Sequence, residues 1–196
     1  MDFTEIMKQK IDYCSRHTDM PMELQQKAKK LCWEYNRTSP EEKEERSRIL
    51  KELLGTYNTL VFIEPSFRCD YGFNIHTKGF AFINYNCVIL DTSPVNIGKG
   101  VFIAPGVCIA CSGHAIHPSQ RAEGIGTSKP INIEDNVWIG ANSTVCGGVT
   151  IGEGSIIGAG SVVNKDIPEG VIAVGNPCRV LRKITDKDLV KLYPNI

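Results

Sequence analysis

Two of the chain's four histidines, His114 and His117, stand three residues apart in a segment where an otherwise regular sequence pattern stops. An imidazole, with an ordinary pKa of about 6.5, takes up and returns a proton near neutral pH, which is what a general base does. A second constellation is Asp70 and Asn84, set among rings in Phe67-Arg68-Cys69-Asp70-Tyr71-Gly72-Phe73-Asn74 and Phe82-Ile83-Asn84-Tyr85-Asn86. Aromatics beside carboxylate and amide groups suit a sugar, whose apolar face stacks while its hydroxyls bond; the same rings also serve to cap the open end of a core. A third is the basic set Lys165, Arg179, Arg182 and Lys183, which suits phosphate oxygens. Finally, Cys108, Cys111, His114 and His117 fall at intervals of three, and each is a zinc-type ligand. In an extended segment Cys108 and Cys111 have opposite parity and point to opposite faces, so no metal site is expected.

The element that must position these groups is a repeat. Ile133, Ile139, Val145, Ile151, Ile157 and Val163 recur every sixth position, and a small or β-branched residue follows each of the first five after four places: Val137, Ser143, Val149, Ser155, Ser161. Neither a helical nor a two-residue period explains this; a chain that makes a short strand, turns a corner and starts again does. Ile97, Ile103 and Ile109 join the same frame once the 23 residues from 110 to 132 are set aside, so that stretch, which holds both histidines, is a loop on a rigid scaffold. Ile75, Ala81 and Cys87 continue the period in a frame displaced by four, which places a smaller insertion near Asp91 to Pro94.

Upstream of the repeat, Phe3, Ile6, Met7, Ile11 and Cys14 predict an amphipathic helix over residues 2–17. Leu24, Ala28, Leu31, Cys32 and Tyr35 predict a second, opened by Pro21 and ended by Asn36-Arg37. Ser39-Pro40-Glu41-Glu42 reads as the capping box of a third, lined by Ile49, Leu50, Leu53 and Leu54 and stopped by Gly55. Asp19, in the turn between the first two, reads first as a helix cap. Thr185-Asp186-Lys187-Asp188 is expected to cap a short C-terminal helix with Leu189, Val190 and Leu192. The resulting division is a helical arm over 1–56, a coil over 57–184 with its inserted loop at 110–132, and a tail over 185–196.

Twenty-two Lys+Arg balance 22 Asp+Glu, so net charge points to neither nucleic acid nor an anionic membrane. The start has no basic segment followed by an apolar run, and no stretch approaches a membrane span; a cytoplasmic location is the default expectation. The eight cysteines show no staple spacing and are read as reduced thiols that pack as small residues.

The ordered set Thr18-Asp19-Met20, Trp33-Glu34-Tyr35-Asn36, Cys69-Asp70-Tyr71-Gly72, Ile103-Ala104-Pro105, Gly113-His114, Asn136-Val137-Trp138-Ile139-Gly140, Gly158-Ala159-Gly160-Ser161, Lys165-Asp166-Ile167-Pro168 and Gly175-Asn176-Pro177-Cys178-Arg179 resembles the hexapeptide-repeat acyltransferases, and within them the maltose and galactoside O-acetyltransferases. Aspartate at position 70 resembles the maltose branch. The resemblance implies a mainly β chain, a left-handed parallel β-helix that departs from the usual right-handed crossover, assembled as a homotrimer with active sites between subunits. It implies transfer of acetyl from acetyl-CoA to a sugar hydroxyl with His114 as general base and no acyl-enzyme. Asp19, Asp70 and Asn84 match acceptor-site positions. Asn84, Trp138, Ala141, Ala159, Asn164, Lys165, Arg179 and Arg182 match the coenzyme A groove. Three positions depart from the pattern: Ala141 where some members have serine, Ile125 where a glutamate often follows glycine, and Gln25 where a basic residue can meet the acceptor. The alternatives are the same transfer to a galactoside, an envelope sugar, an amine or a serine, a zinc-binding protein, and a non-catalytic trimer.

Overall fold

The computed structural model describes residues 2–192, and the repeat dictates its shape. Short strands wind into a parallel β-helix of triangular section whose three faces hold seven, five and four strands. Residues 18 positions apart stack on the same face: Ile133 pairs with Ile151, Ile139 with Ile157, and Val145 with Val163. All six side chains point inward and are buried, as are Val137, Ser143, Val149, Ser155 and Ser161, so the six-residue period is a count of corners. Two of the buried serines donate to carbonyls of the next turn, Ser155 Oγ to Pro168 O at 2.6 Å and Ser143 Oγ to Gly158 O at 3.1 Å, and Ser161 Oγ donates within its own turn to Gly158 O at 2.6 Å.

The register below the loop differs from the expected displacement of four. Ile75 pairs with Val95 and Ala81 with Val101, 20 residues apart, so each lower turn carries two extra residues, not four. The insertion near Asp91 to Pro94 does lie at the corner between the five- and four-stranded faces, where Val88–Leu90 passes to Val95–Ile97. The turn after Arg68–Cys69 and the large loop after Cys108–Ala110 leave the coil at this same corner.

The arm departs further from expectation. Its first helix is only Phe3–Met7, capped by Asp2, and Tyr13–Arg16 is a strand. The spacing that suggested a longer helix is overridden by tertiary pairing: Tyr13–Arg16 lies antiparallel to Ile125–Ser128, which lies antiparallel to Ser112–His114. A 3-10 turn, His17–Asp19, leads into the helix Met22–Tyr35, with Pro21 at its N-cap. The third helix is Lys43–Leu53; in the turn that precedes it the Ser39 N–H donates to Glu42 Oε2 at 2.6 Å and Ser39 Oγ accepts the Glu41 N–H at 3.3 Å. Ala28, Leu31, Cys32, Tyr35, Ile49, Leu50 and Leu53 bury against the open lower end of the coil and close its core. At the upper end Arg179–Lys183 folds back antiparallel on Val171–Val174. The expected C-terminal helix is a single 3-10 turn, Asp186–Asp188, capped by Thr185; Leu189, Val190 and Leu192 are exposed, and residues 193–196 lie outside the described ones. No described helix is long and apolar enough to cross a membrane.

Candidate active site

A cleft of about 230 Å³ opens where the loop sheet, the arm and the corner between the five- and four-stranded faces meet. Its walls come from distant parts of the chain: Tyr13, Ser15, His17, Met20, Met22 and Gln25 of the arm; Tyr71; Thr92; and the two loop strands with Ser112, Gly113, His114, Thr127 and Ser128. Apolar ring and thioether surface is thus interleaved with hydroxyls. His114 sits at the end of its strand, opposite Gly126, with its side chain exposed toward the cleft.

The loop is pinned by hydroxyls. Ser128 Oγ meets Thr92 Oγ1 at 2.6 Å and Ser93 Oγ at 2.7 Å, both buried, and Tyr13 Oη donates to Thr92 O at 2.6 Å. Burial pushes the Tyr13 hydroxyl above its ordinary pKa, the hydrogen bonds with Ser128 and Ser93 pulling the other way, so it remains a neutral donor near neutrality. At the loop's turn Gly124 has φ +76°, and a Cβ there would lie 2.3 Å from His17 Nδ1. The His17 ring occupies the space a side chain would take, while the His17 N–H donates to Gly124 O at 3.0 Å.

The residues singled out from sequence fall into two groups. Asp70 stands at the cleft corner, half-buried, and Gln25 Nε2 donates to its Oδ1 at 3.4 Å while Lys29 Nζ donates to Gln25 Oε1 at 3.0 Å. Burial raises the Asp70 carboxyl; the Gln25 bond and the Lys29 charge oppose this. Asp19 is exposed and accepts the Arg16 N–H at 2.9 Å, so its carboxylate caps the 3-10 turn beside the cleft. His117, whose Nδ1 lies 2.7 Å from Ser119 Oγ, is exposed at the N-cap of the short loop helix Pro118–Ala122 and does not line the cleft.

The second group lies at another corner, between the seven- and five-stranded faces. Asn84 follows Ala81–Ile83 there, its Oδ1 accepting the Tyr85 N–H at 2.8 Å. Ala141 and Ala159 stack above it on successive turns, Gly160 N donating to Ala141 O at 2.8 Å. Among the described residues no backbone acceptor bonds the amides of Ala141 or Ala159, which leaves two N–H groups free at this edge. Trp138, about half exposed, stands between Phe102 and Ile156 on the neighbouring face. Asn164 and Lys165 do not share this corner: they follow Val162–Val163 of the five-stranded face and lead to Ile167, which pairs with Ile151 of the four-stranded face, so they stand exposed higher up the cleft's own corner, while Arg179 Nη1 donates to Cys178 O at 2.7 Å. Arg182 forms a two-pronged bond to Asp188, at 2.8 and 2.7 Å, so its guanidinium is already engaged and holds the Asp188 carboxyl at about 2.

Within one chain, then, Asn84 is not brought to His114; the five-stranded face separates them. Sequence reasoning also missed Tyr13, His17, Thr92 and Ser128. Tyr13 and His17 fall within the spacing that predicts the first helix, and nothing in Thr92 or Ser128 alone signals a site. Cys108 is partly exposed while Cys111 is buried against Ser93 O at 3.3 Å, and no group of three or more His, Cys, Asp or Glu gathers among the described residues.

A coil of six-residue periods, a capping arm and a histidine-bearing loop define the class. The chain matches the family model "Bacterial transferase hexapeptide (six repeats)" over residues 130–165 and the "Maltose acetyltransferase hexapeptide capping motif" over residues 13–58. It is 44% identical over 174 residues to a galactoside O-acetyltransferase of Escherichia coli, covering 87% of this chain and 86% of the relative. The crystal structure of a maltose O-acetyltransferase from Clostridium difficile superposes with a TM-score of 0.85 at 40% identity, over 95% of this chain and 99% of that one. A hexapeptide-repeat acetyltransferase from Vibrio cholerae, solved in complex with acetyl-coenzyme A, gives 0.87 at 35% identity, over 95% of this chain and all of that one (100%). The chain belongs to the maltose and galactoside O-acetyltransferase family of hexapeptide-repeat proteins; it is an acetyltransferase with a left-handed parallel β-helix.

Proposed function

We propose that this acetyltransferase moves the acetyl group of acetyl-CoA to a hydroxyl of a sugar such as maltose or glucose, with His114 as general base. The observation that carries the reading is the cleft: an exposed imidazole on the wall of a small cavity whose other walls alternate hydroxyls with tyrosine rings and methionines. Such a lining stacks a sugar face and bonds its hydroxyls. The His114 imidazole takes the proton of the hydroxyl as its oxygen attacks the thioester carbonyl, and returns it to the leaving thiolate. Asp70, held by Gln25, accepts from a second hydroxyl, and Asp19 borders the entrance.

Acetyl-CoA is assigned to the other corner. Trp138 and Asn84 flank its acyl end, the free amides of Ala141 and Ala159 serve the pantetheine carbonyls and the developing oxyanion, Arg179 and Arg182 face the phosphates, and Asn164 and Lys165, on the same corner as His114, join them from the neighbouring chain that supplies the base. With alanine at 141 no hydroxyl is available, so the backbone N–H carries the oxyanion role. Because the base and this groove lie on opposite sides of the five-stranded face, the reading requires a neighbouring chain to bring one to the other. An outward row on the seven-stranded face, Phe62, Phe82, Phe102 and Trp138, paired in register, with Phe62, Phe102 and Trp138 about half exposed, supports assembly into a homotrimer. Light scattering is expected to give three times the 21.7 kDa chain mass. Incubation with acetyl-CoA and maltose, followed by mass spectrometry of the sugar, tests the reaction; a singly acetylated sugar is expected, and acetylation of an amine acceptor alone would reject a sugar hydroxyl as target.

A further inference from the structure

One buried group takes no part in the reaction just described. Asp91 is fully buried (0% exposed), at the corner from which the loop leaves, and no described residue forms an ion pair with it. Its Oδ1 accepts the N–H groups of Asp70 at 3.1 Å and Tyr71 at 2.8 Å, and its Oδ2 accepts that of Asn74 at 3.2 Å. Its own carbonyl accepts Asn74 Nδ2 at 3.1 Å, and the same Nδ2 reaches Met7 O of the arm at 3.1 Å. The turn from 70 to 74 is therefore wrapped around a single carboxylate. Gly72 makes that turn feasible: its φ is +75°, and a Cβ would lie 2.4 Å from Leu53 O.

A carboxylate in the core is costly unless something specific requires its two acceptor oxygens. Burial pushes Asp91 up to about 7, against the pull of the backbone N–H groups and with the Asp70 charge adding to the rise. An apolar residue would serve packing better, and an asparagine would set its own N–H groups against the donors of the turn. The residues that follow tie the other walls: Thr92 O takes the Tyr13 hydroxyl, and Thr92 and Ser93 hold Ser128 of the loop. The break in the coil at 91–93 is thus joined to the arm, the loop and the turn that carries Asp70.

We infer that Asp91 is the positioning residue of the acceptor cleft, fixing Asp70 and Tyr71 against the loop through the backbone of their turn. This rests on the reading of the cleft as the acceptor site. It separates the two substrates, since nothing at the acetyl-CoA corner is bonded to Asp91. The experiment is steady-state kinetics of wild type and Asp91→Asn with maltose and glucose as acceptors, alongside amide exchange by mass spectrometry of the peptide holding residues 70–74. The variant is expected to raise acceptor KM at least tenfold, to leave KM for acetyl-CoA within twofold, and to exchange faster in that peptide only. Unchanged acceptor KM in an active variant overturns the assignment. So does a rise in both KM values together with faster exchange throughout, which marks a general structural role. If wild type itself releases no thiol in response to either sugar, the acceptor reading fails and the assignment falls with it. Should Asp91→Asn yield no folded protein, Asn74→Ala, which removes the amide clamp and leaves the carboxylate, is expected to give the same split in smaller measure; equal KM values there overturn the assignment.

Discussion

Two corners of one coil carry the two halves of the proposed site, and they are built in opposite ways. The corner with Asn84, Ala141 and Ala159 is the repeat left plain: connections of equal length on each turn, and, at Ala141 and Ala159, backbone amides that no described backbone acceptor bonds. The corner with Asp70, Thr92 and His114 gathers nearly every irregularity in the chain: two extra residues per lower turn, the large loop, the arm strand, and buried polar groups that bond one another. A groove that meets a long, common donor needs only a regular edge. A pocket that must distinguish one hydroxyl from others needs walls from several distant segments, each fixed by its own hydrogen bonds.

The difference also explains what was legible in the sequence. The coil was, because a six-residue period is a repeated local instruction and Ile97, Ile103, Ile139 and Ile157 all obey it. His114 stood out because it sits where the period stops. The walls around it did not, since Tyr13–Arg16 becomes a strand only by pairing with residues more than a hundred positions away, and the short-range spacing of Phe3, Ile6, Met7, Ile11 and Cys14 mimics a helix. The lower register was misjudged for a similar reason. Ile75 and Ala81 are inward residues, but they stack on Val95 and Val101 and not on Ile97 and Ile103, and only pairing distinguishes the two columns.

Short of removing the base, the largest loss is expected where both corners depend on the same column. Ile139 is fully buried between Ile103 and Ile157, and Ile139→Ala should cost about 2 to 5 kcal/mol, lowering Tm and taking both substrates' kinetics down together. A change at Gly124 should strike one corner only. Alanine at φ +76° costs about 1 to 2 kcal/mol and drives a methyl into His17, so Gly124→Ala is expected to raise acceptor KM about tenfold while KM for acetyl-CoA holds; equal shifts in both would erase the distinction between the corners.

For the donor, Lys165→Ala should raise KM for acetyl-CoA about tenfold, the loss of one charge-assisted phosphate bond, and leave acceptor KM alone. Arg182→Ala should do less, about twofold, because its guanidinium already spends itself on Asp188. The smallest effect concerns pH. Asp91 has its folded pKa raised to about 7, so its contribution to stability is fully present below the unfolded carboxylate value and is lost as pH rises through about 7. Between pH 5 and 8, therefore, the Tm of wild type should fall relative to that of Asp91→Asn; a gap that stays constant would show that the carboxyl ionises normally.

The proposed reaction turns on one proton acceptor, His114. Thiol release from acetyl-CoA, measured for wild type and His114→Ala against maltose, glucose, galactosides and amines, tests it most directly. The expected result is sugar-dependent release that falls at least about a hundredfold in the variant, within the range general-base catalysis supplies. Equal rates in the two proteins would contradict it.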